Sequence, residues 1–250
     1  MNEQKFKESE AKFIAQYILN GLNINIKNKD INIKKSKGFI EIIKNIEKIE
    51  NTWKYKPKDN SHTFGRKHND ETIGLWSVPP MTAKVLSYLV LYSNSKNILE
   101  IGTSAGYSTL HLAIASKVNK GHVFTIELLD KKIELAKENF SKSGISKDIT
   151  LIEDEASKVL NNWKYGKVDL VFLDADKENY SKYLDQLLPI MNIGGLIIAD
   201  NINDYGHMMG DFLQRVTGTH LPKSRCDIRV KSFYVAQLDN GLMIIKKISE

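Results

Sequence analysis

The chain has 250 residues, 42% hydrophobic and 26% charged, which is enough for one α/β domain with a sizeable core and ordinary for a water-soluble protein. It has no run of about 18 apolar residues and no basic start leading into an apolar core, so a membrane span and a secretory signal are not expected and a cytoplasmic setting is the default. The net charge of +6 is concentrated in residues 1–75, with 15 basic against 10 acidic side chains, and a lone Cys226 excludes an intrachain disulfide or a multi-thiolate zinc site. The same segment is rich in Asn and Ile (GLNINIKNKDINIKK), the bias of an AT-rich coding sequence. A basic arm that steers a polyanion is the competing reading.

Residues 3–20 show a helical stripe of Phe6, Phe13, Ile14, Tyr17 and Ile18, and residues 38–49 a second one of Phe39, Ile42, Ile43, Ile46 and Ile49. Residues 54–72 have no periodicity and read as a long loop. Pro79 and Pro80 sit where a helix can begin, continued by MTAKVLSYLVLY. From residue 97 short apolar runs alternate with helical stretches: NILEIG, then about 108–116; HVFTIE, then 129–143; DITLIE, then 156–163; VDLVFLD, then 180–190; GGLIIAD, then 207–216. This alternation predicts a mostly parallel sheet with helices on both faces. FYVAQL and LMIIKK, joined by Asp239-Asn240-Gly241, predict a closing antiparallel hairpin and bring the strand count to seven.

In an open sheet of this kind ligands lie beyond the carboxyl ends of the strands. The first such loop is Glu100-Ile101-Gly102-Thr103-Ser104-Ala105-Gly106, which lacks the glycines of a dinucleotide fingerprint at 104 and 107. An acidic residue before the glycine and another, Glu127, closing the next strand suit a ligand with a ribose and a cationic centre but no pyrophosphate. Glu127 would accept the ribose hydroxyls, Gly102 would allow close backbone approach, and Glu100 would supply negative charge. S-adenosylmethionine fits that description, although an acidic residue at this strand end also suits NAD.

VFLDADKENY and LIIADNI pose a second question, since each buried strand stops in carboxylates. Asp174 and Asp200 at neighbouring strand ends, joined by Asn201, form an all-oxygen half-shell suited to Mg2+, with Mn2+ or Ca2+ as alternatives. Lys177, three residues after Asp174, is placed to take a proton if burial and a nearby dication lower its pKa. The bland alternative is a strand end with an acidic helix cap and a solvated lysine.

ILEIGTSAGYSTLHLA, Glu127, VFLDADKENY and Asp200-Asn201, in this order and spacing, resemble the divalent-metal-dependent class I O-methyltransferases of the caffeoyl-CoA and catechol type, over roughly residues 76–246. The resemblance implies a Rossmann-like α/β domain at 76–250 behind an N-terminal helical extension at 1–75. It implies S-adenosylmethionine-dependent methylation of one hydroxyl of a vicinal diol on a small acceptor. Carried over by position, Asp174, Asp200 and Asn201 would ligate the metal and Lys177 would be the base. Glu100, Gly102, Ser108, Glu127, Ala156 and Asp176 would hold the cofactor, with Ser77 standing where the family brings a hydroxyl to the cofactor carboxylate. The same family includes enzymes that methylate a hydroxylated uridine in tRNA, which is the alternative acceptor, and homodimers are common in it. A fold kept as a binding module without chemistry is the third reading, and intact Asp174, Lys177, Asp200 and Asn201 weigh against it. His207 reads as a loop residue near the acceptor, and His62, His68, His111, His122 and His220 show no metal-binding spacing.

Overall fold

A computed structural model describes residues 3–27, 33–52, 74–218 and 226–250. The loop expected at 54–72 and His62, His68 and His220 lie outside the described residues, as does the side chain of Phe6. Helices α1 (Glu3–Gly21), α2 (Lys37–Thr52) and α3 (Pro80–Ser93) come first. Strands β1 (Asn97–Ile101), β2 (His122–Glu127), β3 (Ile149–Glu153), β4 (Val168–Leu173) and β5 (Met191–Ala199) follow, separated by α4 (Tyr107–Val118), α5 (Asp130–Ser143), α6 (Ala156–Asn161) and α7 (Tyr180–Leu187). The chain then passes through α8 (Ile202–Tyr205) and α9 (Gly210–Thr217) into β6 (Val230–Val235) and β7 (Leu242–Lys247).

The seven strands form one sheet in the order β3-β2-β1-β4-β5-β7-β6. The first five are parallel, and β7 runs antiparallel to both β5 and β6. The expected fold class is therefore observed. Successive residues of a strand face opposite layers, which explains the near-continuous apolar runs. On β4, Leu170 and Phe172 join the core under α3 and α4, while Val171 and Leu173 join the core under α7 and α9; Ile98 and Leu99 on β1 divide in the same way. Helices α1 and α2 pack into the first of these cores, on α3 and α5, through Ala11, Ala15, Ile18, Leu19, Phe39, Ile42 and Ile46. No helix among the described residues is long and apolar enough to cross a membrane.

Three local readings are corrected. Helix α1 buries the 11-15-18-19-22 stripe, and Phe13 and Tyr17 lie outside it, 67% and 60% exposed. The two alanines set the buried face because small side chains let α1 approach α3 closely, which a count of large apolar residues overlooks. The terminal hairpin has its first strand at Val230–Val235 and a six-residue connection, 236–241, in which Asp239 and Gly241 take positive φ of 44° and 76°. The helix expected at 207–216 is α8, a single 3-10 turn at 206–208, and α9.

Candidate active site

The parallel ladder continues one residue past three adjacent strands. Asp174 N–H donates to Ile101 O at 3.0 Å, Asp200 N–H to Leu173 O at 3.1 Å, and Gly102 N–H to Ile126 O at 3.1 Å. Gly102, Asp174 and Asp200 therefore stand in a row along the carboxyl edge of the sheet. Gly102 has φ of 103°, and a Cβ there would lie 2.1 Å from Asp174 O, so only glycine lets β1 and β4 close up at this level.

On the β1–β2 side, Glu100 is fully buried. Its carboxylate accepts hydrogen bonds from Ser108 Oγ at 2.6 Å, Thr125 Oγ1 at 2.6 Å and Thr109 Oγ1. Burial pushes its pKa up to about 7 against the opposing pull of those hydroxyls, with the Asp174 charge adding to the rise. Glu100 and Ser108 thus form an internal hub that braces the turn before α4. Glu127 accepts from Ser104 N–H at 2.8 Å through one oxygen and from Leu128 and Leu129 N–H at 2.9 and 3.0 Å through the other. Ala156 opens α6. Asp176 is bound by Tyr183 OH at 2.6 Å and by the Asn179 amide.

Residues 74–79 strap across this edge. Leu75 O accepts from Ser104 Oγ, Ser77 N–H donates to Glu50 Oε1 at 2.7 Å, and Trp76 between them holds a left-handed backbone with φ of 48°. Ser77 Oγ is buried without a hydrogen-bond partner among the described residues. It borders a cavity of about 140 Å³ lined also by Glu47, Glu50, Val78, Pro79 and Tyr107.

On the β4–β5 side, Asp200 is 1% exposed. Its Oδ1 accepts from Asn201 N–H at 2.7 Å, while Oδ2 is buried with no partner. Burial and then the neighbouring Asp174 charge push its pKa up to about 7. Asn201 is fixed in the left-handed region with φ of 64° at the start of α8. Lys177, 5% exposed, donates to Asp174 Oδ1 at 2.6 Å and to Tyr180 OH at 3.0 Å, and Tyr180 OH donates onward to Leu173 O at 2.9 Å. Burial works against the lysine's charge, but Asp174 and Tyr180 outweigh it and raise its pKa above the ordinary value. That is the direction set by the chain's own groups, with the carboxylate assigned to a cation serving the lysine as its ion-pair partner.

Among the described residues no three His, Cys, Asp or Glu side chains are grouped to share one ion. The candidate set remains two carboxylates and an amide, and the bare Asp200 Oδ2 is the feature that fits a hard cation: a buried anionic oxygen for which no described residue supplies a donor. His207 lies in the 3-10 turn after α8, and His111 and His122 sit in α4 and β2, away from the edge. Sequence reasoning missed Thr109, Thr125, Tyr180 and Lys132. A threonine inside the buried run VFTIE was a legible signal for Thr125, whereas nothing linear marked Lys132.

A model of the O-methyltransferase family matches residues 63–248. The catechol O-methyltransferase of Niastella koreensis is 34% identical over 138 residues, covering 54% of this chain and 62% of its own length. The caffeoyl-CoA O-methyltransferase of Populus kitakamiensis is 37% identical over 134 residues, covering 52% and 57%. The match thus spans less than two thirds of either relative. An O-methyltransferase from Bacillus cereus, solved in complex with SAH, shares the fold with a TM-score of 0.62 at 22% identity, covering 96% of this chain and all of that one.

Proposed function

The chain belongs to the O-methyltransferase family, and from that premise we propose that it transfers the methyl group of S-adenosylmethionine to a hydroxyl of a small catechol-like or other vicinal-oxygen acceptor. The observation that carries the reading is the β4–β5 end: Asp200 Oδ2 buried and bare, Asp174 beside it on the neighbouring strand, and a buried lysine bonded to Asp174. The names of the curated relatives and the SAH bound to the Bacillus cereus fold-mate support the same donor and acceptor classes.

In the reaction the acceptor oxygen attacks the methyl carbon in line, the C–S bond breaks with its electron pair going to sulfur, and the hydroxyl proton leaves. Holding oxygen, carbon and sulfur collinear can supply roughly 7 to 11 kcal/mol. Asp174, Asp200 and Asn201 would hold a divalent cation, Mg2+ by preference, whose chemistry is to lower the pKa of the acceptor hydroxyl and fix its position. Gly102 lets the backbone of the donor loop close on β4, and Glu127 at the end of β2 is the carboxylate nearest to that loop for a ribose. Ser108 and Glu100 keep the turn rigid from beneath, and Ala156, Asp176 and Ser77 border the same edge. Lys177 is the proton acceptor in this reading. Asp174 and Tyr180 are what keep it charged, so a cation that drew the Asp174 carboxylate away would remove one of those two supports and favour the neutral amine a base needs.

The chain is further proposed to act in the cytoplasm as a homodimer, with the exposed Phe13 and Tyr17 of α1 and the adjacent Phe233, 5.5 Å from Tyr17, as the apolar surface available to a second copy. The test of the activity is a labelled-methyl assay against a catechol panel and total tRNA, with and without Mg2+. Label in the catechols that vanishes on chelation supports the proposal, label only in tRNA replaces the acceptor, and turnover unchanged by chelation rejects the cation.

A further inference from the structure

Tyr180, the first residue of α7, is fully buried and belongs neither to the candidate cation set nor to the donor loop. Its hydroxyl nevertheless joins two parts of the β4–β5 end, accepting from Lys177 Nζ at 3.0 Å and donating to Leu173 O at 2.9 Å. The directions are fixed, because a carbonyl has no proton to give and the phenol has only one. Leu173 O is also the acceptor for Asp200 N–H, at 3.1 Å. A single carbonyl at the last residue of β4 therefore locates the acidic end of β5 and, through Tyr180, the lysine.

The local structure brings this pair together. Residues 177–179 form a 3-10 turn, in which side chains three apart stand one above the other, and Tyr180 N–H closes on Lys177 O. Lys177 Nζ lies 5.3 Å from the centre of the Tyr180 ring, which packs edge-on against Phe212 with centroids 5.4 Å apart. Lys177 has a second anchor in Asp174 Oδ1 at 2.6 Å. The two anchors differ in kind. The Asp174 side chain is 19% exposed and is the one that the reading above assigns to a cation, whereas the phenol is enclosed in the core. The bond to the phenol needs only an N–H, which the lysine has whether charged or neutral, so it does not depend on that charge.

We propose that Tyr180 is the positioning residue of Lys177, tying the amine to the peptide of Leu173 so that it keeps its place beside Asp174 and Asp200 when Asp174 turns to another partner. The inference deepens the reading of Lys177 as proton acceptor and rests on it. A lysine head rides on a flexible four-carbon stem, and without a second fixed point it would follow Asp174. A misplacement of about 1 Å at a reacting centre can cost about 10²-fold in rate.

Carbon relaxation of the Lys177 Cε methylene, assigned by its absence in Lys177→Arg, tests the positioning with no metal, donor or acceptor present. The order of this group should persist in Asp174→Ala and be lost when Tyr180→Phe is added. Order already lost in Asp174→Ala, or kept in the double variant, overturns the proposal. In turnover, Tyr180→Phe alone should lower kcat about ten- to a hundredfold while KM for donor and acceptor stays within about twofold of the wild type. A rise in KM at unchanged kcat, or a lower Tm with both constants unchanged, makes the tyrosine a packing residue and overturns it as well. Tyr180→Phe keeps the ring and its contact with Phe212; should it still fail to fold, order kept in Asp174→Ala supports the proposal and order lost there rejects it. If the wild type methylates no acceptor, the activity reading has failed, and the relaxation data alone decide whether Tyr180 fixes the lysine.

Discussion

Glu100, at the end of β1, receives three hydroxyl hydrogen bonds, whereas Asp200, just beyond β5, receives one backbone N–H and keeps a buried oxygen bare. Burial drives both carboxyls up to about 7. The difference lies in who answers the charge. On the β1–β2 side the chain answers its own acid with Ser108, Thr109 and Thr125, so that carboxyl is architecture. On the β4–β5 side the described residues leave part of the demand unmet, and Asp174 next door adds to it. A buried acid the protein satisfies braces a loop; one it leaves short points to something from outside.

The comparison breaks first on activity. Asp200→Asn should lower kcat/KM by at least about 10²-fold, and Asp174→Ala should likewise abolish chelator-sensitive turnover while calorimetric binding of S-adenosylhomocysteine remains measurable. With the chelator present, Asp200→Asn should unfold at a higher urea midpoint than the wild type at pH 8, since it removes a charge that burial and Asp174 both oppose. A lower midpoint would mean that Asp200 is already satisfied, as Glu100 is.

Gly102→Ala acts on the seam between the two sides. With its Cβ 2.1 Å from Asp174 O, it should cost about 3 kcal/mol or more in urea unfolding and weaken both donor and cation binding. An effect on one ligand alone would show that the two sides are uncoupled.

Glu100→Gln sharpens the architectural half. The folded pKa of Glu100 lies above its ordinary value of 4.5, so the folded protein keeps a proton that the unfolded chain releases, and stability falls as pH climbs from 4.5 to about 7 before levelling. The glutamine variant lacks this slope. Its stability relative to wild type should improve by about 3 kcal/mol between pH 4.5 and pH 8, an order-of-magnitude figure read from paired urea titrations. The smallest effect is Ser108→Ala, which removes the donor to Glu100 Oε1 and should cost about 1 to 2 kcal/mol.

The sheet and the carboxyl edge were legible because both have a linear signature. A two-sided parallel strand must be apolar throughout, so the point where VFLDAD or LIIADN turns acidic marks the edge, and the helices between follow from the alternation. Asp174, Asp200 and Asn201 were placed at that edge in this way, with Lys177 close behind. The outward placement of Phe13 and Tyr17 was hidden, since the buried face of α1 is chosen by what α3 leaves room for. So was the Lys177–Asp174 ion pair, which depends on a carboxylate oxygen 2.6 Å away rather than on spacing along the chain. Lys132 was hidden most completely, because its partner Trp76 comes from a strap 56 residues earlier in the sequence.

The strand order also sets a timetable for assembly. All five parallel strands are complete by Ala199, but the far edge of β5 pairs with β7, and Ile202 and Asn203, just after Asp200, bond to the carbonyls of Gly241 and Asn240. A ribosome that has released only the first 235 residues exposes that edge as an unpaired template, open to other chains. The half of the molecule that carries the β4–β5 candidate site is therefore the last to take shape, and chaperone dependence during synthesis should concentrate in the interval before Leu242–Lys247 emerges.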